Sequence, residues 1–191
     1  MTRPEGAASF SRCGRYRWWL SRRWRRDAPA LLFIGLNPSS ADRRHDDATL
    51  RRLIGFADGW GYGGVEVVNL FAWISADPAA LRQAAEPVGR RTDLWTRQRI
   101  RRLLQRNATL PLWLGWGNGG SLQGRDQQML RMLSRLPVRL FCLGLTAAGQ
   151  PRHPLYALAG SPLLPFGASW EHATAPTATP CPAPRAATRS T

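Results

Sequence analysis

The sequence predicts a three-layer α/β sandwich with a central four-stranded parallel sheet and an N-terminal edge strand or hairpin. Four short apolar runs are typical of buried strands, and they occupy residues 31–36, 65–73, 110–116 and 138–144. Amphipathic segments with helical spacing separate these runs, and the connections beyond residue 31 are long enough for parallel crossovers. Strands and helices that alternate in this way place helices on both faces of a parallel sheet.

Local signals predict each element. RYRWWL at 15–20 alternates large apolar with basic side chains, which indicates an edge strand. Asp46 or Asp47 is placed to cap a helix, because apolar residues follow at i, i+3, i+4 and i+7 spacing. The Asp77-Pro78 pair is typical of the start of a short helix. Apolar spacing predicts two further helices, one over about 88–106 and one between residues 122 and 136.

Composition suggests one domain. Residues 15–167 carry all of the predicted elements, so we expect a single α/β domain there. Residues 1–14 are expected to form a flexible N-terminus. Residues 168–191 are rich in Ala, Thr and Pro and cannot bury enough apolar surface to order themselves, which predicts a disordered tail.

Several functional classes are disfavoured. No apolar run approaches the roughly 20 residues of a membrane span, and the N-terminus lacks the apolar segment of a signal peptide. The cysteines Cys13, Cys142 and Cys181 lie far apart and fit no disulfide or metal-ligand spacing. We therefore expect a cytoplasmic protein with no membrane contact and no metal ion, most simply a monomer.

The charge is the clearest functional signal. The net charge is +15, and all 27 basic residues are arginine. A genome with biased codon use explains the missing lysine but does not explain the net excess. An excess of this size favours a polyanionic partner, nucleic acid or a nucleotide above all.

Polar residues gather where the predicted strands end. In a parallel sheet the carboxyl ends of the strands form the usual ligand site. The candidate residues at these ends are Gly35, Asn37, Pro38, Ser39, Asn69, Trp116, Asn118, Arg152, His153 and Tyr156. No serine or cysteine nucleophile is paired with a histidine, and no carboxylate pair is evident unless Asp42, Asp46 or Asp47 folds back.

Three of these candidates also have purely structural interpretations. Asn37 precedes Pro38 and suits an Asx-type turn. Asn69 suits a strand residue whose amide satisfies a neighbouring loop. His153 suits a loop histidine bonded to backbone, although a polar His-Pro loop after a core strand is a usual place for chemistry.

Several longer stretches resemble an uncharacterised bacterial and archaeal family, domain of unknown function 1643. The matching stretches within residues 15–166 are LLFIGLNPSSAD, DDATLRRLIGFADGWGYGGVEVVNLFAW, DPAALRQAAEPVG, LWLGWGNGG and LGLTAAGQPRHPLY. This family resemblance implies no activity.

The order of the motifs also resembles, more distantly, the uracil-DNA glycosylase superfamily, whose members have a four-stranded parallel sheet flanked by helices. GLNP at 35–38 is similar to the superfamily's first motif, which implies that Asn37 positions the attacking water. VVN implies that Asn69 reads the base edge. RHPLY keeps the His-Pro of the last motif, which implies that His153 contacts the leaving base, but has Leu155-Tyr156 in place of Ser-Pro.

The resemblance implies a base-excising hydrolase that cleaves N-glycosidic bonds in nucleic acid, most simply DNA. Iron–sulfur members of that superfamily use four cysteines, whereas this chain has three scattered ones, so no cofactor is implied. Two alternatives stay open. One is a non-catalytic module that binds nucleic acid or a nucleotide, and the other is a hydrolase or transferase of free nucleosides or nucleotides.

Overall fold

The computed structural model describes residues 4–106 and 108–167, which form a mixed α/β fold with seven strands and four helices. The strands are β1 (Glu5–Phe10), β2 (Arg17–Arg23), β3 (Ala30–Gly35), β4 (Gly64–Asn69), β5 (Leu110–Leu114), β6 (Val138–Cys142) and β7 (Leu164–Pro165). The helices are α1 (Ala48–Gly59), α2 (Pro78–Gln83), α3 (Thr92–Leu104) and α4 (Arg125–Leu133).

All seven strands join one sheet in the order β1-β2-β4-β3-β5-β6-β7. The four strands β4, β3, β5 and β6 are parallel neighbours, and they coincide with the four apolar runs of the sequence. The strands β1, β2 and β7 pair antiparallel at the two sides. The α/β class is thus confirmed, but the sheet is mixed and has seven strands, where four parallel strands and an N-terminal edge strand or hairpin were expected.

Two predictions at the N-terminal side need correction. Glu5–Phe10, expected to be flexible, forms β1 and pairs antiparallel with β2. As a result β2 lies inside the sheet, between β1 and β4, and is not an edge strand. The EGAASF sequence of β1 consists mostly of small residues with weak strand propensity, so it carries little sequence signal. The predicted tail at 168–191 lies outside the described residues.

Helices cover both faces of the sheet. Side chains of the buried strands alternate between these two faces, so each face presents apolar side chains to its helices. Leu31 and Phe33 of β3 pack with α1 in one hydrophobic cluster. Leu32 and Ile34 pack in a second cluster with residues of α2, α3 and α4. The burial of β3 explains why that strand is apolar almost throughout, whereas the equally buried β4 also carries the polar side chains of Glu66 and Asn69.

One ion pair is buried in the face that α3 covers. Glu66 of β4 accepts two hydrogen bonds from Arg99 of α3, from Nε and from Nη2, both at 2.6 Å. The Arg99 guanidinium also lies 4.2 Å from the ring centre of Trp19. This bidentate pair ties α3 to the centre of the sheet. Separately, none of the helices in the described residues is long and apolar enough to cross a membrane.

Replacing Glu66 with Gln should lower the free energy of unfolding by about 3 kcal/mol, because Arg99 would keep its charge without a buried counter-charge. Urea denaturation followed by circular dichroism measures this change. The matched control is Asp58→Asn, since Asp58 pairs with Arg25 where both side chains are 44% exposed. That control should cost less than about 1 kcal/mol. Equal effects of the two substitutions would contradict the assigned role of the buried pair.

Candidate functional site

The site forms where β3 and β4 end side by side. The two strands pair in parallel register, and Gly35 lies opposite Asn69 at their carboxyl ends. The pairing continues beyond both strands, since the Leu70 N–H donates to the Gly35 carbonyl at 2.9 Å and the Phe71 N–H donates to the Leu36 carbonyl at 2.9 Å. The residues that follow β3 and β4 therefore lie side by side at the same edge of the sheet.

A cavity of about 40 Å³ lies at the carboxyl ends of β3 and β4. Its walls come from β2, β3, the β3–α1 loop, α1, β4 and the loop after β6. Five predicted site residues line it, namely Gly35, Asn37, Ser39, Asn69 and His153. A cavity needs roughly 10–15 Å³ to hold one water molecule, so this one has room for a few waters or a small polar group.

Asn37 is half-buried, and its amide is oriented by backbone groups. The side-chain Nδ2 donates to the Ser75 carbonyl at 2.7 Å and to the Pro38 carbonyl at 3.0 Å. These bonds give Asn37 a structural role, but not the predicted Asx-type turn, in which Oδ1 would accept a backbone N–H. The side-chain Oδ1 accepts no hydrogen bond from a described residue, and Asn37 lines the cavity. The oxygen is thus available as an acceptor for a water molecule or a ligand.

Asn69 is 5% exposed, and its side chain makes no hydrogen bond with any residue that the structure describes. Burying an unpaired amide costs free energy, and this amide borders the cavity. Gly35 makes room for it, because a Cβ at position 35 would lie 2.9 Å from Asn69 Nδ2 and 2.8 Å from Phe33 Cε1. Glycine is therefore required at position 35 of the GLNP motif for steric reasons.

His153 presents one ring nitrogen to the backbone. It precedes the short 3-10 turn Pro154–Tyr156, and its Nδ1 accepts from the Leu155 N–H at 3.3 Å. In the neutral ring the proton then lies on Nε2, which becomes the donor. Burial lowers the pKa of His153, with the charge of Asp47 acting in the opposite direction. The histidine is therefore neutral at physiological pH.

Two charged residues also line the cavity: Arg17, which sequence reasoning missed, and Asp47, which it named only on the condition that the carboxylate folds back. Arg17 is 5% exposed, and its Nη1 donates to the Ala41 carbonyl at 2.8 Å. Burial lowers the pKa of Arg17 to about 10, although the charge of Asp47 raises it, so the guanidinium stays charged at neutral pH. In RYRWWL this arginine looks like any other basic residue of an alternating strand, and no local signal marks it.

Asp47 performs the capping role that the sequence predicts and also folds back into the cavity. Its Oδ1 accepts from the Leu50 N–H at 2.8 Å, which caps α1, and its Oδ2 accepts from the Ala41 N–H at 3.3 Å. A sequence pattern shows the cap but not the direction in which the carboxylate faces.

Several predicted site residues lie away from the cavity. Trp116 is 1% exposed and packs in the cluster with α4, where its Nε1 donates to Gln150 at 2.7 Å. Asn118 is exposed and accepts a hydrogen bond from Thr146 at 2.6 Å. Arg152 is exposed and donates to the Leu145 carbonyl. These side chains follow the ends of β5 and β6, but their hydrogen bonds hold neighbouring loops.

The remaining two candidates lie next to the site. Pro38 is buried, and its carbonyl accepts from Asn37 and from the Ser75 N–H. Tyr156 is 77% exposed, with its ring centre 5.9 Å from that of His153. Within the described residues no group of three or more His, Cys, Asp or Glu side chains is arranged to hold a metal ion.

Comparison with known proteins gives a family without an activity. Residues 17–155 match the model of a family described as a protein of unknown function (DUF1643), and the chain belongs to that family. No curated protein and no solved structure matches the chain. The matched range begins at Arg17 and ends at Leu155, so it contains every cavity residue discussed above.

An NMR titration of the His153 ring should give a midpoint below 6.5, because burial disfavours the charged ring. The unfolded chain then binds the proton more readily, so this residue lowers stability as pH falls below about 6.5 and has no effect well above it. His153→Gln identifies the signal and should remove that part of the pH dependence. A midpoint at or above 6.5 would show that the ring is not buried as described.

Proposed function

Because the DUF1643 family carries no assigned activity, we propose from the site itself that this chain is a base-excising hydrolase. The proposed reaction is hydrolysis of the N-glycosidic bond between a base and its sugar in nucleic acid. One observation carries the proposal. Asn37, Asn69 and His153 are far apart in the sequence, yet all three line a single cavity at the carboxyl ends of β3 and β4.

The resemblance to the uracil-DNA glycosylase superfamily supports this proposal. Members of that superfamily have a four-stranded parallel sheet flanked by helices, and their first two motifs lie at strand ends. Here Asn37 follows β3, Asn69 is the last residue of β4 and His153 lies in the loop after β6, while the parallel strands lie in the order β4-β3-β5-β6.

His153 would act on the leaving base. Cleavage of the glycosidic bond leaves negative charge on the base and positive charge on the sugar. A neutral histidine with Nδ1 bonded to the Leu155 N–H offers its Nε2–H to a base oxygen, and this hydrogen bond strengthens as the negative charge develops. The hydrogen bond to backbone fixes the ring before the substrate arrives, which removes part of the entropic cost.

The two amides would divide the other roles. Asn37 is oriented by the Ser75 and Pro38 carbonyls, so its free Oδ1 can hold a water molecule in place for attack on the sugar. Asn69 offers a donor and an acceptor from a buried position, and pairing them with a base edge recovers the cost of burying them. An amide orients water without serving as a strong base.

The cavity, as the structure describes it, cannot enclose the base of a substrate. About 40 Å³ suits water molecules but is too small for a base, so the loop that carries His153 would move outward on binding. This loop carries the exposed side chains of Leu155, Tyr156 and Leu158. They are available to contact an extruded base, whose flipping costs a few kcal/mol that must be offset by stacking and phosphate contacts.

The charge of +15 supports nucleic acid as the partner. Arginine side chains attract the phosphate backbone without reading its sequence, and this attraction falls steeply as salt rises. Specificity would then come from the cavity alone.

One observation favours a second candidate, binding without catalysis. Both carboxylate oxygens of Asp47 already accept backbone N–H groups, so the acidic residue in the cavity wall is not free to act as a strong general base. A non-catalytic nucleic-acid or nucleotide-binding module would use the same amides and histidine to hold a base.

Base release from labelled oligonucleotides tests the proposal. The protein is purified from a host that lacks its own uracil glycosylase and offered single- and double-stranded DNA carrying uracil, hypoxanthine, xanthine or alkylated bases. Alkali then cleaves any abasic sites. We expect release by the native protein, with Asn37→Ala and His153→Gln each slowing it about 100-fold or more, as for loss of an aligned transition-state contact.

Matched controls are available on the same chain. Asn118→Ala and His45→Gln change the same residue types at exposed positions outside the cavity, and both should retain the native rate. Oligonucleotide retention without base release would instead support the binding module. Release that persists in Asn37→Ala and His153→Gln would contradict the assigned site.

A further inference from the structure

We propose that Arg17 forms, together with Asn69, a buried subsite for a negatively charged oxygen group of a ligand. The ligand chemistry is a carboxylate or phosphate oxygen that accepts hydrogen bonds from the guanidinium and from the Asn69 amide. This subsite goes beyond the proposed hydrolysis and does not depend on it, because it concerns binding alone.

The guanidinium of Arg17 has more donors than partners. It is 5% exposed, and only its Nη1 makes a hydrogen bond with a described residue, the 2.8 Å bond to the Ala41 carbonyl. Its Nε is fully buried and unpaired. An arginine has five N–H donors, and a buried charge with most of them unused is costly to the fold unless something else accepts them.

The other buried arginines of the described residues each form an ion pair with a carboxylate. Four arginines in the described residues are less than a tenth exposed, and three of them contact a carboxylate: Arg22 with Asp46, Arg99 with Glu66 and Arg125 with Asp93. Arg17 is the exception, since no carboxylate of the described residues lies within 4.0 Å of it. An anionic ligand would supply the negatively charged acceptor that Arg17 lacks among the described residues.

Arg17 shares its cavity with a second side chain that has unpaired N–H donors. Arg17 and Asn69 line the same cavity, and the Asn69 side chain also lacks a partner among the described residues. One guanidinium and one amide together offer several N–H donors to an oxygen group. A cavity of about 40 Å³ accommodates a group of that size.

Asp47 is the charge that opposes such a ligand. Its carboxylate also lines the cavity, and it partly balances Arg17 at a distance. Both of its oxygens accept backbone N–H groups, from Leu50 and Ala41, and it lies at the N-terminus of the 12-residue helix α1. The partial positive charge of that helix end offsets part of the negative charge of Asp47.

Formate and inorganic phosphate are the probes. Isothermal titration at constant ionic strength measures their affinity for the native protein, for Arg17→Gln and for Arg12→Gln. Arg12 is exposed and lies outside the cavity, so its substitution controls for the general attraction of a basic protein for anions. We expect Arg17→Gln to weaken binding about 10- to 100-fold, as for the loss of charge-assisted hydrogen bonds, and Arg12→Gln to leave it unchanged.

The comparison of the two probes distinguishes the source of the oxygen. Tighter binding of formate indicates a carboxylate-bearing ligand, and tighter binding of phosphate indicates a phosphate group. Equal affinities in the native protein and in Arg17→Gln, or no measurable binding of either probe, would overturn the proposal and leave Arg17 solvated by water alone.

A second variant keeps the test valid if Arg17→Gln fails to fold. Asp47→Asn keeps a residue that caps helices well and keeps Arg17, but it removes the opposing charge. It should bind the preferred probe more tightly than the native protein, whereas unchanged or weaker binding would contradict the subsite. Anion binding without base release would reject the hydrolase and keep the subsite, and base release without anion binding would do the reverse.

Discussion

The in-register parallel pairing of β3 and β4 is the constraint on which the site depends. Gly35 lies opposite Asn69, and the hydrogen bonds continue to Leu70 and Phe71 beyond the strand ends. A shift of this register by one residue would turn Asn69 to the opposite face of the sheet. The same pairing needs glycine at position 35, since a side chain there would displace the Asn69 amide.

Much of the fold follows from periodicity. The four apolar runs of the sequence are the four parallel strands, and Asp47 and Asp77 cap the helices that they were expected to cap. An N-terminal hairpin was one of the two predicted alternatives, but its first strand was missed. The first strand, Glu5–Phe10, consists mainly of small residues, and its place is set by pairing with β2 rather than by its own propensity. Such tertiary pairing leaves no local pattern to read.

The sequence predicted only those site residues whose place in the cavity is set by their position at the end of a strand. Asn37 and His153 follow strands and Asn69 ends one, and the parallel order of these strands brings the three together. Arg17 could not be found in this way, because its burial depends on how β2 meets the β3–α1 loop. Trp116 also follows a strand end, yet its ring packs into the core instead. Orientation of a side chain at a strand end depends on contacts that the sequence does not display.

Asn37, Asn69 and His153 are distant in sequence, and the proposed function requires all three side chains to act on one ligand. NMR spectra of the side-chain amides and the histidine ring, recorded while free uracil or hypoxanthine is added, show whether they do. We expect the signals of Asn37, Asn69 and His153 to shift together with a single affinity, while the amide of Asn118 stays unchanged. Shifts confined to residues outside the cavity, or different affinities for the three signals, would contradict it.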